Sequence, residues 1–401
     1  MTALKLIFSE GFRAFFLSAG LFAVASVGLW TLWLAAQAAG VEIALPEAAF
    51  APQHWHAHEM IFGYGAAALA GFFLTAVPNW TGARGAPHRF IATVWALWLA
   101  GRLAMLFSAG LPPWVVAAAD LSLVPVLGAQ MTMQMIVRPR APQMIFVGLL
   151  ALFWTANLLC HLEWMGLADT LWQGLRAGLL TLTATIVVMG GRVTPGFTRN
   201  AMVAAGREDR LPRNPAPLAT VSIAACIATV AGYLLALPEV WPGAAALVAG
   251  AAALARVALW QGLWTRRQPI LWTMHLSYAL NALGLIVLGL STFGIGTEIA
   301  ALHVLGLGGV GGMTLAIMSR ASLGHAGRPL VAPRGVAVAY ALMPLALLAR
   351  WTASVLPALY YPGVLTAGGL WIAAFLLYLA SLWQVWWQPR APRAPVGRPP
   401  K

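Results

Sequence analysis

Long apolar runs separated by short polar connections dominate the chain. Each run has enough consecutive apolar residues to cross the hydrocarbon core of a membrane, which is about 30 Å thick. The runs cover residues 15–39, 58–77, 90–107, 114–137, 144–162, 171–191, 218–237, 242–261, 270–290, 297–319, 336–356 and 365–387. This pattern predicts an all-α fold, a polytopic membrane bundle of about twelve transmembrane helices.

Basic residues lie on one side of this pattern, at the N-terminus, in the even-numbered connections and in the tail. Those before the tail are Lys5, Arg13, Arg84, Arg89, Arg138, Arg140, Arg192, Arg199, Arg207, Arg210, Arg213, Arg266, Arg267, Arg320, Arg328 and Arg334. The odd-numbered connections contain no Lys or Arg. Their charged residues are all acidic, namely Glu42, Glu47, Glu163, Asp169, Glu239 and Glu298. Because Lys and Arg collect in cytoplasmic loops, both termini are predicted to be cytoplasmic. The net charge of +13 therefore reflects topology, and we expect no nucleic-acid partner.

Composition supports a membrane protein, since 61% of the residues are hydrophobic and 9% are charged. We predict one transmembrane helical domain, 1–389, followed by a disordered, basic, proline-rich tail, 390–401. The N-terminal segment lacks a small-residue cleavage site, so the first run is predicted to be an uncleaved span. Cys160 and Cys226 both lie in apolar runs, which excludes a disulfide scaffold and a CxxC zinc or haem motif.

Spans two, six and ten suggest a repeat with a period of four helices. All three are predicted to run from the outer to the inner side of the membrane. Each is also predicted to end in a glycine-rich polar turn, at 78–82, 190–195 and 319–325. The alternative is chance, because glycine and arginine are common in cytoplasmic loops.

Three histidines and a carboxylate lie at the outer end of the second span, in the segment HWHAHEM at 54–60. Ionisable groups in a membrane helix are costly and indicate a functional site. Residues two apart on a helix point about 200° away from each other, so His56 and His58 should face different partners. His54 and His58 share a face if the helix begins early enough. Glu59 could orient an imidazole, carry protons, or extend to the membrane interface.

Imidazoles without thiolates are typical ligands of haem iron, copper or zinc. The orientation places His161 and His303 on the same outer side as the histidine cluster, and His88 and His325 in cytoplasmic loops. His275 enters span nine from the cytoplasmic side. It is either a separate ligand on the inner half or a packed polar residue.

Five glycines fall within the segment 306–312, just after His303. They indicate close helix packing, a flat wall against which a porphyrin could lie with its iron bound to His303, or both. Four arginines near span ends could pair with haem propionates or extend to the interface. They are Arg102, Arg176, Arg256 and Arg350, and Asp120 is a further charged residue within a span.

Several segments resemble the signature of the NnrS family. These are GFRAFFL at 11–17, WHAHEMIFGY at 55–64, AGFFLTAVPNWTG at 70–82, GGRV at 190–193 and MSRASLGHAGRPL at 318–330. One departure is Ala14, where the family often has proline. The resemblance implies a polytopic bacterial inner-membrane protein that contains haem and copper and is associated with denitrification and nitric oxide stress. It maps family histidines to His56, His58, His303 and His325, with His275 as a further position.

A more distant similarity is to haem–copper oxidases and their nitric oxide reductase relatives. They have a twelve-helix core, cytoplasmic termini and histidines near the outer ends of helices two and ten. The similarity implies a pseudo-threefold arrangement of helices. Two features differ, because span six of this chain contains no histidine and the paired His–His of the oxidases is missing.

The resemblance implies a nitric oxide reductase-like or nitric oxide-detoxifying protein, and the positions of the histidines place its centre near the periplasmic side. The expected cofactor is a non-covalent b-type haem, with copper or another second metal. Expected cofactor ligands are His56, His58, His275 and His303, of which His56, His58 and His303 are also candidate metal ligands. Glu59 is the candidate catalytic proton carrier, and the electron donor is a quinol or a periplasmic cytochrome.

Two other functions remain open at this stage. The first is a metal-containing protein that protects against nitrosative stress, or senses the gas, without turnover. The second is a secondary transporter, which also fits twelve helices. The sequence does not contain the broken-helix symmetry near the membrane midplane that transporters favour.

Overall fold

The computed structural model describes residues 3–43, 48–138 and 141–391. Twelve helices are long and apolar enough to cross a membrane, which agrees with the number of predicted spans. They are α1 Gly11–Ala38, α2 Pro52–Thr81, α3 His88–Leu106, α4 Pro113–Val137, α5 Ile145–Trp164, α6 Leu171–Ala204, α7 Ala216–Leu234, α8 Val240–Ala258, α9 Pro269–Ser291, α10 Glu298–His325, α11 Arg334–Val355 and α12 Tyr360–Trp387. The described residues contain no strand. Almost all of the predicted tail, 392–401, lies outside them.

The three segments predicted as glycine-rich polar turns are helical instead. Residues 78–81 form the last turn of α2, and Gly82 is its left-handed C-cap residue. α6 continues through 190–195 as far as Ala204, and α10 continues through 319–325. The turn prediction was wrong because helix–helix contacts stabilise glycine and proline in these helices. Gly190 and Gly191, for example, lie against Tyr278 and Arg256.

α2, α6 and α10 form the centre of the bundle and contact one another. In their most apolar windows 78%, 83% and 67% of residues are buried, against at most 61% in the other helices. α3 to α5 pack between α2 and α6, α7 to α9 between α6 and α10, and α11, α12 and α1 between α10 and α2. Helices with a period of four in the sequence therefore occupy equivalent places, which is the predicted pseudo-threefold arrangement.

Two of the central helices contain a π-helical segment directly after a histidine. In α2 the segment is Glu59–Gly65, which follows His58, and in α10 it is Val304–Gly311, which follows His303. Such segments are rare and are frequent at functional sites. The Tyr64 hydroxyl and Thr314 Oγ1 share a hydrogen bond of 2.5 Å that joins α2 to α10. The two irregular helices are therefore fixed to each other.

The glycines of 306–312 mostly serve close helix packing. A Cβ on Gly309 would lie 3.0 Å from Asn281 Cβ, and one on Gly312 would lie 2.4 Å from Ser277 Oγ. Gly306 is different, since only Leu179 Cδ1 approaches its Cβ position, at 4.0 Å. One glycine thus faces open space, whereas its neighbours allow α9, α11 and α12 to approach α10.

Arg13, which the charge pattern places at the cytoplasmic end, is buried and joins the first helix to the last. Its Nη1 donates hydrogen bonds to the carbonyl oxygens of Val385, Trp386 and Gln388 at 2.6, 3.1 and 2.9 Å. These carbonyls belong to the C-terminal end of α12, where no following helical turn can satisfy them. The guanidinium therefore caps α12 and joins the two ends of the chain.

Candidate functional site

A cavity of about 390 Å³ lies at the end of the central helices where the charge pattern places the outer membrane face. α1, α2, α6, α10, α11 and α12 all contribute to its lining, which is mostly apolar. Its basic lining residues are His54, His56, His303, Arg176 and Arg350. Its size falls within the range of roughly 300–1,000 Å³ that is typical of small-molecule and cofactor pockets. We call it the outer cavity.

His303 lies in the last turn before the π-helical segment of α10 and lines the outer cavity. Its Nδ1 donates a hydrogen bond of 2.7 Å to the carbonyl oxygen of Ile299, one helical turn earlier. This bond fixes the tautomer, because a carbonyl can only accept. The unprotonated Nε2 is thereby available as a ligand, in the way that metal-binding histidines are commonly oriented.

His56 lines the same cavity from α2. Its ring stacks on Trp30 of α1, with centroids 4.7 Å apart and planes 11° from parallel. Its Nδ1 is buried and has no hydrogen-bond partner in the described part of the chain. Such a buried polar atom is costly unless a ligand or water satisfies it. Two of the imidazoles in the outer cavity, those of His56 and His303, thus each have a nitrogen without a partner among the described residues.

The two arginines of the outer cavity differ in their partners. Arg176 donates to Glu239 Oε1 at 2.9 Å and to Glu298 Oε2 at 2.7 Å. Arg350 donates to Ser354 Oγ at 2.6 Å, and it has no carboxylate partner among the residues that the structure describes. Arg350 is therefore the arginine placed to bind an acidic group of a ligand.

His58 belongs to a separate, buried set of polar side chains between α2, α3, α4 and α5, which we call the polar cluster. Its members are His58, Glu59, Arg102, Asp120, Asn157 and His161, and each is at most 6% exposed. Arg102 forms ion pairs with both Glu59 and Asp120. Phe62 and Trp164 cover the imidazole of His58, with ring centroids 5.0 Å away in each case.

Hydrogen bonds and close contacts connect all parts of the polar cluster. Asp120 Oδ2 lies 3.3 Å from His58 Nε2 and 2.9 Å from His161 Nε2, and it accepts from Asn157 Nδ2 at 2.7 Å. One donor atom from each of His58, Asp120 and His161 lies within 4.8 Å of the other two. Across the described part of the chain, this is the one group of three or more such side chains that could hold a metal ion.

The structure therefore separates the residues predicted to form the site. His54, His56 and His303 line the outer cavity, whereas His58 and Glu59 lie in the polar cluster and do not line that cavity. The predicted roles of these residues in binding and catalysis stay predictions.

The histidines predicted near the cytoplasmic side lie apart from both places. His275 is buried between α6 and α9, where its Nε2 lies 2.8 Å from Thr198 Oγ1. The ring of His325 lies 5.6 Å from that of Phe12. The role of His275 as a cofactor ligand also stays a prediction.

Sequence reasoning placed His161 on the same side of the membrane as the histidine segment, but it did not connect Asp120 or Arg102 to that segment. The available signal was charge: Arg102 and Asp120 are single charged residues inside adjacent spans, and such residues need a partner. Asn157 and His161 are four residues apart on α5, so they share one helix face.

Comparison with known proteins agrees with the resemblance read from the motifs. No curated protein matches the sequence. The family described as NnrS protein matches residues 6–390, nearly the whole chain. That match includes both the outer cavity and the polar cluster. The twelve apolar helices make this chain a multi-pass membrane protein. The family match shows that it belongs to the NnrS family.

Proposed function

We propose that this protein binds a b-type haem in the outer cavity and uses it to bind nitric oxide. Membership in the NnrS family supports a membrane protein related to nitric oxide. The observation that carries the haem proposal is His303: its Nδ1 donates to Ile299, which leaves Nε2 available at the wall of a large, mostly apolar cavity.

The lining residues fit the parts of a haem. His303 would bind the iron, and the apolar side chains from six helices would surround the porphyrin and exclude water. Gly306, one turn beyond His303, leaves the wall of α10 without a side chain at this point. Arg350 would pair with a propionate, since charge-assisted bonds between arginine and carboxylate are strong and directional.

A bound haem would supply an iron that coordinates nitric oxide and exchanges electrons. His56 would lie beside this centre, held by its stacking on Trp30. If His56 and His303 both held the haem, the centre would serve electron transfer. We propose that His303 alone would hold the haem and that His56 would contact the bound gas.

Protection without turnover is the second candidate function. Reduction of nitric oxide consumes protons, and Glu59 was the predicted proton carrier. In the structure Glu59 is 1% exposed, pairs with Arg102, accepts from His58, and does not line the outer cavity. This arrangement favours a protein that binds nitric oxide over one in which Glu59 delivers protons to it.

The proposed orientation is that of a bacterial inner-membrane protein with both termini in the cytoplasm and the outer cavity facing the periplasm. The distribution of basic residues supports it. The electron donor would then be a quinol or a periplasmic cytochrome. A fluorescent reporter that folds only in the cytoplasm, fused after residue 401, should be bright, and a dark fusion would refute this orientation.

An anaerobic optical spectrum of the purified protein tests the haem proposal. Protein produced with an ample haem supply should show a Soret band that shifts when nitric oxide is added to the reduced form. His303→Ala should lose this band, whereas His88→Ala should keep it, because His88 lies near Phe8 outside both sites. Wild-type protein without a Soret band, or equal haem in both variants, would refute the proposal.

Turnover is measured separately with a nitric oxide electrode and an artificial electron donor. Steady consumption of the gas that depends on the protein would establish catalysis. Stoichiometric binding without further consumption would establish protection.

A further inference from the structure

The polar cluster is an unusual concentration of charge inside a membrane bundle. Two carboxylates, one guanidinium, two imidazoles and an amide are all buried among α2, α3, α4 and α5. Buried charges are tolerated only when they are paired and hydrogen-bonded. The cluster has two carboxylates and one guanidinium, so with neutral imidazoles it carries an excess negative charge that a proton or a metal cation would balance.

The hydrogen bonds of His58 show where such a cation belongs. Its Nδ1 lies 3.0 Å from Glu59 Oε1, and its Nε2 lies 2.8 Å from Asn157 Oδ1. Both neighbours are acceptors, whereas a neutral imidazole has a single N–H. The amide of Asn157 cannot be turned around, because its Nδ2 donates to Asp120 Oδ2. His58 Nε2 therefore needs either a second proton or a metal ion.

The neighbouring donor atoms are spaced for a metal ion. Two ligands of one tetrahedral ion, bound at about 2.0–2.1 Å, lie roughly 3.3 Å apart. Asp120 Oδ2 lies 3.3 Å from His58 Nε2 and 2.9 Å from His161 Nε2. Asp120 Oδ2 thus lies at about this separation from each of the two imidazole nitrogens, and all three donor atoms lie within 4.8 Å of one another.

We propose that His58, Asp120 and His161 bind a first-row transition-metal ion. Two imidazoles and one carboxylate suit iron, copper or zinc, whereas calcium and magnesium require several oxygen ligands. Glu59 accepts a hydrogen bond from His58 Nδ1, which orients the ring and increases its basicity, as carboxylates commonly do behind metal-binding histidines. Arg102 in turn orients both carboxylates.

This site is distinct from the outer cavity and does not depend on a haem there. His56 and His58 are on the same helix, but their side chains lie in different surroundings. A protein without haem would still bind the metal ion, and a protein without the metal ion would still bind haem. The two proposals can therefore fail separately.

Metal stoichiometry tests the site. Full-length protein is purified in detergent, treated with a chelator, dialysed against Co²⁺ and washed, and its metal content is measured by plasma mass spectrometry. We expect about one equivalent of cobalt in the wild type. His161→Gln and Asp120→Asn should each lose this equivalent, because each removes one of three ligands.

His88→Gln is the control, since His88 contacts the carbonyl oxygen of Phe8 and lies outside the polar cluster and the outer cavity. It should retain the cobalt. Wild-type protein that takes up no cobalt would overturn the proposal and leave a second proton on His58 as the explanation. Cobalt retained equally by His161→Gln and Asp120→Asn would also overturn it. The wild-type result remains decisive if a variant does not fold.

Discussion

His56 and His58 lie two residues apart on α2, yet their side chains lie in separate environments. His56 stacks on Trp30 at the wall of the outer cavity, and His58 contacts Asn157 and Asp120 inside the polar cluster. α2 is therefore the partition between the two candidate sites. Any shift of this helix changes the positions of both histidines together.

Arg350→Gln should weaken haem binding about 10- to 100-fold. It removes a charge-assisted bond to a propionate, and such bonds contribute about 1.5–3 kcal/mol. Haem affinity is measured by titrating haem-free protein and following the Soret band. Arg176→Gln is the comparison at the same cavity; its smaller loss is expected because Arg176 already pairs with Glu239 and Glu298. A larger effect of Arg176→Gln would assign the propionate to that arginine instead.

Gly309→Ala should lower the thermal stability of the protein in detergent. Its new Cβ would lie 2.6 Å from Asn281 Oδ1 and 3.1 Å from Asn281 Cα. Overpacking of this kind costs about 1–3 kcal/mol. Gly306→Ala, three residues away, should leave the unfolding midpoint unchanged because its Cβ meets only Leu179 Cδ1 at 4.0 Å. Equal midpoints for the two variants would show that α9 and α10 can separate at little cost.

Arg102→Met should strongly destabilise the bundle, even without any metal ion. It leaves the buried carboxylates of Glu59 and Asp120 without their guanidinium, and breaking a buried ion pair costs about 3–5 kcal/mol. The reference is Arg207→Met, whose partner Asp209 lies in an exposed connection. Exposed ion pairs contribute little to stability, because water and salt screen them. The free energy of unfolding of both variants is measured in denaturant with metal-stripped protein. A stable Arg102→Met variant would contradict the assigned ion pairs.

Glu59→Gln should reduce metal affinity about 10- to 100-fold, the usual effect of removing a carboxylate behind a ligand histidine. The carboxylate of Glu163 provides the control. It also accepts hydrogen bonds at the outer side of the bundle, but from the backbone N–H groups of Thr170 and Leu171. Competition with a chelator of known affinity measures the cobalt affinity of each variant. If Glu59→Gln binds cobalt as tightly as the wild type, Glu59 does not orient His58.

The twelve helices and the separation of His56 from His58 were predictable because both follow from one helix at a time. The length of the hydrophobic runs determines the number of helices. The rotation of about 100° per residue determines that His56 and His58 point apart. The period of four helices also followed from orientation, although the turns used to support it proved to be helical. Helix ends shift by several residues when neighbouring helices stabilise glycine, as Arg256 and Tyr278 do at the middle of α6.

The polar cluster was not predictable in the same way. Its contacts join residues from four helices, and the positions of Asp120 and His161 relative to His58 depend on how these helices pack. No periodicity within α4 or α5 contains that information. The π-helical segments were not predictable either. The turn after His303 is wider than the regular helix assumed from the sequence.

The cap that Arg13 places on α12 has a consequence for synthesis of the protein. Chains are made from the N-terminus, and domains fold as their parts become available. Arg13 precedes its acceptors Val385, Trp386 and Gln388 by 372 to 375 residues. Ten helices are therefore made between the guanidinium and the carbonyls that it caps. A chain that stops before residue 385 contains Arg13 but none of these three acceptors.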